Sequence, residues 1–362
     1  MTTPVSGGAA TADIAGQTVV LHYGDAAEEY AALRSGAMLV DRSARGRLRI
    51  HGPRASELIT GLVTNDVGAL AAGQGCYAAA LTPKGKIVAD VRIFSLRDAL
   101  LIDSPPRARD GWLGMVRKYV NPRVARYDDE TTATRQIGIF GARARTALAI
   151  ATGVDPAVLG ALPRYGHVAL DLPAGAIIAR VPDLEIEGYE LFVPESAFEP
   201  LWERLVTEGA TPAGLAAWDI ARIEAGRPEW GVDMDDTTIP QEANLDDLHA
   251  ISYTKGCYVG QETVARVHFR GHVNRHLRGV MFQERAPAQG APARGTALFD
   301  AQGKPVGDIR STAPSPRLGP IALAMVRREI EPGTTVNAIA NPDTTERLET
   351  PALIVRLPFA AA

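Results

Sequence analysis

Cysteine is nearly absent: the 362 residues contain two, Cys76 and Cys257. Two thiols make no disulfide framework, and without a CxxC pair there is neither a zinc-type nor a dithiol redox motif. A reducing, cytoplasmic setting suits such a chain. A complete all-cysteine iron–sulfur site is excluded as well, since clusters ordinarily take four ligands. Long apolar runs are missing: none approaches the roughly 18 residues of a membrane span. The opening MTTPVSGGAATADIAG has no basic or apolar leader region, and residues 1–16 read as a flexible start. No βαβ unit carries GxGxxG, which argues against a dinucleotide domain. Nor does one sign of charge dominate. With 38 Lys and Arg against 42 Asp and Glu, the net charge of −4 gives no overall field for nucleic acid or anionic membrane. Any polyanion contact has to be local.

What is present is an ordinary globular composition, 46% apolar and 22% charged, in a chain long enough for two or three packed units. Residues 47–52 and 87–96 alternate with period two, as strands do. Residues 53–63, 108–120, 142–152, 196–209 and 212–226 space their apolar positions as helices, with Gly209 and Gly226 as C-terminal stops. Short strands are expected at 136–140 and 189–193, so the class is α+β. From about residue 273 the chain turns to short β-runs between Gly and Pro turns, a small barrel or sandwich, with 283–295 as an internal low-complexity loop.

The octapeptide KGCYVGQE, residues 255–262, places Cys257 between two glycines and two residues after Lys255. A nearby cation, from Lys255 or from the basic run 266–278, lowers a thiol pKa and enriches the nucleophilic thiolate. The alternative is a small buried packing residue. The basic run holds Arg266, His268, Arg270, His272, Arg275, His276 and Arg278. It suits an RNA phosphate or a folate glutamate tail, or simply forms a solvated basic edge. His268, His272 and His276 would align on a helix. Gly271 and the alternating VHF favour extended chain, so no metal is expected.

KGCYVGQE resembles the signature of the YgfZ-type folate-binding proteins, relatives of the glycine-cleavage T-protein, an aminomethyltransferase. Residues 58–70, 73–94, 214–247 and 315–329 are similar to family segments in the same order. The resemblance implies a three-domain ring around a central tetrahydrofolate site, with a C-terminal β-barrel. Its boundaries fall at 17–245 for two interleaved α+β domains, 246–272 for the motif and linker, and 273–362 for the barrel. A pterin edge suits a buried carboxylate, and the resemblance gives that role to Glu190, with Arg222 as folate-binding arginine. Asp66 and Tyr77 resemble positions lining the hole, whereas Thr64 and Asn65 read as turn residues. Tyr258, Gln261 and Glu262 complete the expected folate set, with Cys257, Lys255 and Asp90 as catalytic candidates. The T-protein has an Asp pair where this chain has Ala89 and Asp90, which counts against aminomethyl transfer. The function expected first is therefore a folate-binding accessory to iron–sulfur enzymes, with tRNA-modifying enzymes as clients. A glycine-cleavage-type aminomethyltransferase and an RNA- or protein-binding scaffold are the alternatives.

Overall fold

The structure, a computed structural model, describes residues 9–282, 292–340 and 348–360. Two sheets face each other and a closed barrel packs against their junction. The first sheet is antiparallel, in the order Gly75–Leu81, Ile87–Ser95, Ala99–Ser104, Gly46–His51, Arg126–Asp129. Period-two alternation divides its side chains cleanly. Ala89, Val91 and Ile93 pack outward with helices Ala55–Thr60 and Arg109–Tyr119, whereas Tyr77, Ala79 and Leu81 point toward the second sheet.

The second sheet runs His167–Ala169, Ile177–Arg180, Gly188–Pro194, Thr134–Phe140, Ala37–Asp41, Ala210–Ala213, with only the last pairing parallel. Its outer face packs on helices Ala144–Thr152 and Glu195–Thr207, and Phe192 and Ala179 lie on the inner face. The chain passes from Ala37–Asp41 of this sheet straight into Gly46–His51 of the first. Arg42 and Arg45 therefore lie in the crossing itself. A third core joins the helices Ala26–Ser35 and Leu215–Glu224 to barrel residues Leu277, Ile321 and Leu323. The barrel closes in the order Arg275–Phe282, Gly319–Arg327, Pro305–Ser315, Ala297–Phe299, Thr335–Ala340, Leu348–Val355.

The helices form where the apolar spacing places them, and Gly209 and Gly226, at φ +86° and +67°, follow their ends as expected. Two segments differ from expectation. Ala10–Ile14 is not a loose start but pairs with Gln17–His22 in a hairpin; residues 1–8 lie outside the described residues. The basic run is not extended: Gln261–Arg270 is a helix, and strand begins only at Arg275. Gly260 opens that helix and Gly271 closes it, so the glycine that argued against a helix marks its end. Of the loop expected at 283–295, residues 283–291 lie outside the described residues.

Candidate active site

A cavity of about 330 Å³ lies where the three units meet. The sheet crossing contributes Arg42 and Arg45, helix Leu215–Glu224 contributes Trp218 and Arg222, the following loop Glu229, and the barrel Arg310. Such a volume, with convergent polar groups at a domain junction, has the character of a small-molecule site. Arg222 is fixed by its own neighbours: Nε donates to Asp219 at 2.5 Å and Nη1 to Asp233 at 2.6 Å. Glu224, two positions on, instead accepts from Tyr30, Arg34, Ser315 and Arg317.

Behind the cavity the two sheets are joined by a buried ionic cluster. Glu190 sits on the inner face of Gly188–Pro194 and is fully buried, at 0% exposure. The Arg92 guanidinium grips it with two parallel bonds, Nη1 to Oε1 at 2.9 Å and Nη2 to Oε2 at 2.8 Å, and Gln136 donates to Oε2 as well. That is the bidentate geometry expected for a pterin edge, supplied by the chain itself. Arg92 also donates to Asp103 at 2.5 Å and to Asp183 at 3.1 Å, and Arg45 donates to Asp103 at 2.8 Å. Burial alone would raise the Asp183 carboxyl, but Arg227 and Arg92 outweigh it and hold it near about 2. In this conformation both Glu190 oxygens are bonded within the chain, to Arg92 and Gln136.

Asp90 is the acid left out of this pairing. Tyr77 donates to its Oδ2 at 2.9 Å, while its Oδ1 is buried with no hydrogen-bond partner among the described residues. Burial, then the charge of Glu229, raises its pKa to about 6, against Arg45, Arg227 and the Tyr77 bond. Arg227 lies 4.0 Å over the Tyr77 ring. The missing partner at Ala89 loses its force here, because Ala89 points into the outer core with Val91 and Ile93. An acid at position 89 would have faced the helices, away from Asp90.

The KGCYVGQE segment lies elsewhere, along the edge strand Gly75–Leu81. Lys255 Nζ donates to the carbonyls of Thr60, at the end of helix Ala55–Thr60, and of Val63, the latter at 2.7 Å. Burial lowers its pKa to about 8, opposed by Asp66, Cys76 and Cys257. Cys257 is exposed, so it is no packing residue. Cys76 points to the opposite face from Tyr77 and burial pushes its thiol to about 12. Lys255 stands 4.5 Å over the Tyr258 ring, Gln261 accepts from the Tyr258 backbone at 3.2 Å, and Glu262 is exposed in the first helical turn. Asp66 accepts from Ala69 N at 3.2 Å. None of Asp66, Lys255, Cys257, Tyr258, Gln261 or Glu262 lines the cavity. Of the expected residues only Arg222 lines the cavity; Asp90, Tyr77 and Glu190 lie buried between the two sheets, and the motif set lies at the sheet edge. Thr64 and Asn65 are tying residues: Thr64 donates to Ala250 O at 2.6 Å, and Asn65 donates to Tyr77 O and His249 O, both at 2.9 Å.

The basic run is likewise divided. His268 stacks on Tyr253 at 3.6 Å between ring centroids, and Arg275 pairs with Glu242 at 3.0 Å. Among the described residues no group of three His, Cys, Asp or Glu is placed to hold a metal ion. No described helix is long and apolar enough to cross a membrane. Sequence reasoning missed Arg42, Arg45, Arg92, Arg227, Asp103, Asp183 and Glu229. A signal was available in RSARGRLRI, where four arginines interrupt a strand pattern; all four, Arg42, Arg45, Arg47 and Arg49, are buried.

Three packed units enclosing an arginine-walled cavity, with a raised-pKa acid behind it, define a small-molecule-binding protein whose site is assembled across domains. The family described as GCVT N-terminal domain matches residues 3–252, and the chain belongs to that family. An aminomethyltransferase of Rubrobacter xylanophilus is 32% identical, covering 97% of this chain and 91% of the relative. One from Bordetella petrii is 28% identical over 98% and 93%. The crystal structure of glycine cleavage system aminomethyltransferase T from Bartonella henselae shares the fold, with TM-score 0.86 at 22% identity, over 98% of this chain and 95% of that one. These relatives overturn the expectation of an iron–sulfur accessory protein: the curated ones carry the name of the enzyme that had been ranked second. Nothing in them or in the fold supports iron–sulfur clients or an RNA contact.

Proposed function

We propose that the protein is a tetrahydrofolate-dependent aminomethyltransferase, moving a one-carbon unit from a carrier-bound amine to the folate. Proteins of the family use tetrahydrofolate, and the observation that carries the reading to this chain is its likeness to aminomethyltransferases over nearly its full length. The folate supplies the nitrogens that receive the carbon. The chain supplies a three-walled cavity and, behind it, Asp90, whose pKa of about 6 lets it exchange a proton near neutral pH. Tyr77 holds one oxygen of that acid and leaves the other without a partner, the state a proton-transfer group needs. Arg222 borders the ligand space and is kept charged and oriented by Asp219 and Asp233. Within the family, the KGCYVGQE signature sets this chain beside the YgfZ-type branch by motif, with no iron–sulfur role attached. The test is purified protein with an aminomethyl-loaded lipoyl carrier and tetrahydrofolate. Methylene-tetrahydrofolate and ammonia are expected together, and formation of neither refutes the reading.

A further inference from the structure

Asp90 is faced by ionisable groups from three directions. Tyr77 bonds it from the neighbouring strand Gly75–Leu81, Arg45 acts on it from the sheet crossing, and Glu229 and Arg227 act on it from the loop after helix Leu215–Glu224. Arg92, on its own strand, is committed to Glu190, Asp103 and Asp183. Glu229 opposes ionisation of Asp90, whereas Arg45 and then Arg227 favour it. Of these two cations, Arg45 is bonded to Asp103 at 2.8 Å. Arg227 has looser partners, the Asp183 carboxylate at 3.4 Å and the Tyr165 hydroxyl at 3.4 Å. Among the described residues it is also the cation that stacks on the Tyr77 ring, at 4.0 Å, and the hydroxyl of that ring bonds Asp90.

The surroundings of Arg227 hold it in place. Its backbone N–H donates to Arg222 O at 2.8 Å and its carbonyl accepts from Arg222 Nη1 at 3.3 Å, which ties it to the cavity wall although it does not line the cavity. Tyr165, which accepts from it, stacks on Tyr77 at 6.2 Å between ring centroids and has φ +58°, a left-handed conformation that a bulky residue rarely adopts. Such strain persists where the surrounding structure over-determines it, and it clusters at working sites. Tyr77, Arg227 and Tyr165 form one buried group that ends on Asp90 Oδ2 and leaves Oδ1 without a partner among the described residues. We propose that Arg227 is a positioning residue for the transfer: stacked on the Tyr77 ring, it keeps the phenol on one oxygen of Asp90 and its own charge beside that acid, leaving the other oxygen to exchange the proton. The assignment deepens the aminomethyltransferase reading and rests on it.

Two measurements on the whole chain test this. The first follows the Asp90 carboxyl by carbon NMR titration, its signal assigned by its loss in Asp90→Asn, and needs no turnover. Arg227→Met is expected to raise the Asp90 midpoint by about one pH unit or more, and Arg227→Lys, which keeps the charge, by less than about half a unit. Tyr77→Phe is expected to raise it too, and Arg227→Met added to Tyr77→Phe is expected to add less than it does alone. The second measurement is the pH profile of methylene transfer from the loaded lipoyl carrier to tetrahydrofolate. In Arg227→Met the limb should move up with the Asp90 midpoint, so that kcat falls roughly fivefold at about pH 6 and recovers by about pH 8.5, with KM for tetrahydrofolate within about threefold. A merely structural loss would lower kcat equally at every pH. Should Arg227→Met fail to fold, Arg227→Met combined with Asp183→Asn removes one buried charge of each sign and carries the same expectations. An unmoved Asp90 midpoint, a uniform loss across pH, or full additivity of Arg227→Met with Tyr77→Phe overturns the assignment. A wild type that forms no methylene-tetrahydrofolate removes the aminomethyltransferase reading and the role in transfer with it, while the midpoints still report whether Arg227 governs Asp90.

Discussion

Asp90 and Glu190 are both buried carboxyl groups on facing sheets, and their neighbours give them different work. Four arginines, Arg42, Arg45, Arg92 and Arg227, surround the acids Asp103, Asp183 and Glu190, and Arg92 alone bonds to all three. Replacing Arg92 by Leu leaves those acids short of their main donor; urea unfolding should show a loss of about 3–5 kcal/mol, and a loss under 1 kcal/mol would mean the cluster rearranges freely. Among the described residues Asp90 bonds only to Tyr77, and its pKa stands at about 6 against 3.8 for the ordinary group. A raised carboxyl pKa means the folded state holds the proton that the unfolded state releases. Stability therefore falls as pH rises from about 4 to about 6, by roughly 3 kcal/mol at ~1.4 kcal/mol per unit. Asp90→Asn should remove that slope, so wild type and variant should diverge in urea midpoint between pH 4 and pH 7. The same group predicts a transfer rate that climbs through an apparent pKa near 6 when ionised Asp90 takes the proton. Asp90→Asn should lose this limb and about 100-fold or more in kcat, and a preserved limb would assign it to another group.

The two glycines of KGCYVGQE look alike in the sequence and do unlike things in the element they flank. Gly260 has φ +84°, and a Cβ there would lie 2.5 Å from the Thr82 carbonyl, because the helix Gln261–Arg270 starts against the Thr82–Gly85 turn. Gly256 has no atom within 4 Å of such a Cβ. Gly260→Ala is expected to cost about 2 kcal/mol or more and Gly256→Ala under about 0.5, read from denaturant midpoints; equal costs would contradict this account of the turn. The helix also shows where the sequence was hard to read. Its only fully buried position is Val264, so the apolar stripe that usually announces a helix is missing, and the alternating Val267, His268, Phe269 resembles a strand. By contrast, the strands Ile87–Ser95 and Gly188–Pro194 were legible because both faces of each are packed. The period-two faces of Ile87–Ser95 were legible too, and would have placed Ala89 outward and Asp90 inward. The partner of Glu190 was not legible. Arg92 and Glu190 are 98 positions apart in sequence, and only the facing of two separate sheets brings them together.

At the scale of the whole molecule, the cavity exists only while the barrel stays docked, since Arg310, Ser311 and Thr312 form one of its walls. Two acids hold that dock. Asp233 joins Arg222 of the wall to Ser311 of the barrel, which donates to it at 2.5 Å. Glu224, at the end of helix Leu215–Glu224, accepts from Tyr30 at 2.7 Å, from Arg34 and Arg317 at 3.1 Å each, and from Ser315 at 2.5 Å. One carboxylate thus bonds to the first helix and to the barrel. Burial alone would raise its pKa, but the bonds from Ser315, Tyr30 and Arg317 lower it overall, so this joint is intact above the ordinary value of 4.5 and is lost as pH falls through the depressed one. The barrel has its own interior, built on Val280, Leu298, Ile309 and Ile354, and can remain folded when the joint is cut. Glu224→Ala should therefore loosen the dock without melting either part. Hydrogen exchange should rise in Pro305–Ser315 while Ile87–Ser95 stays protected, and affinity for tetrahydrofolate should fall at least severalfold because one wall of its cavity is no longer held. Unchanged exchange in Pro305–Ser315 together with unchanged affinity would show that the apolar contact of Leu277, Ile321 and Leu323 with the helices suffices to hold the barrel, and that Glu224 is dispensable to the site.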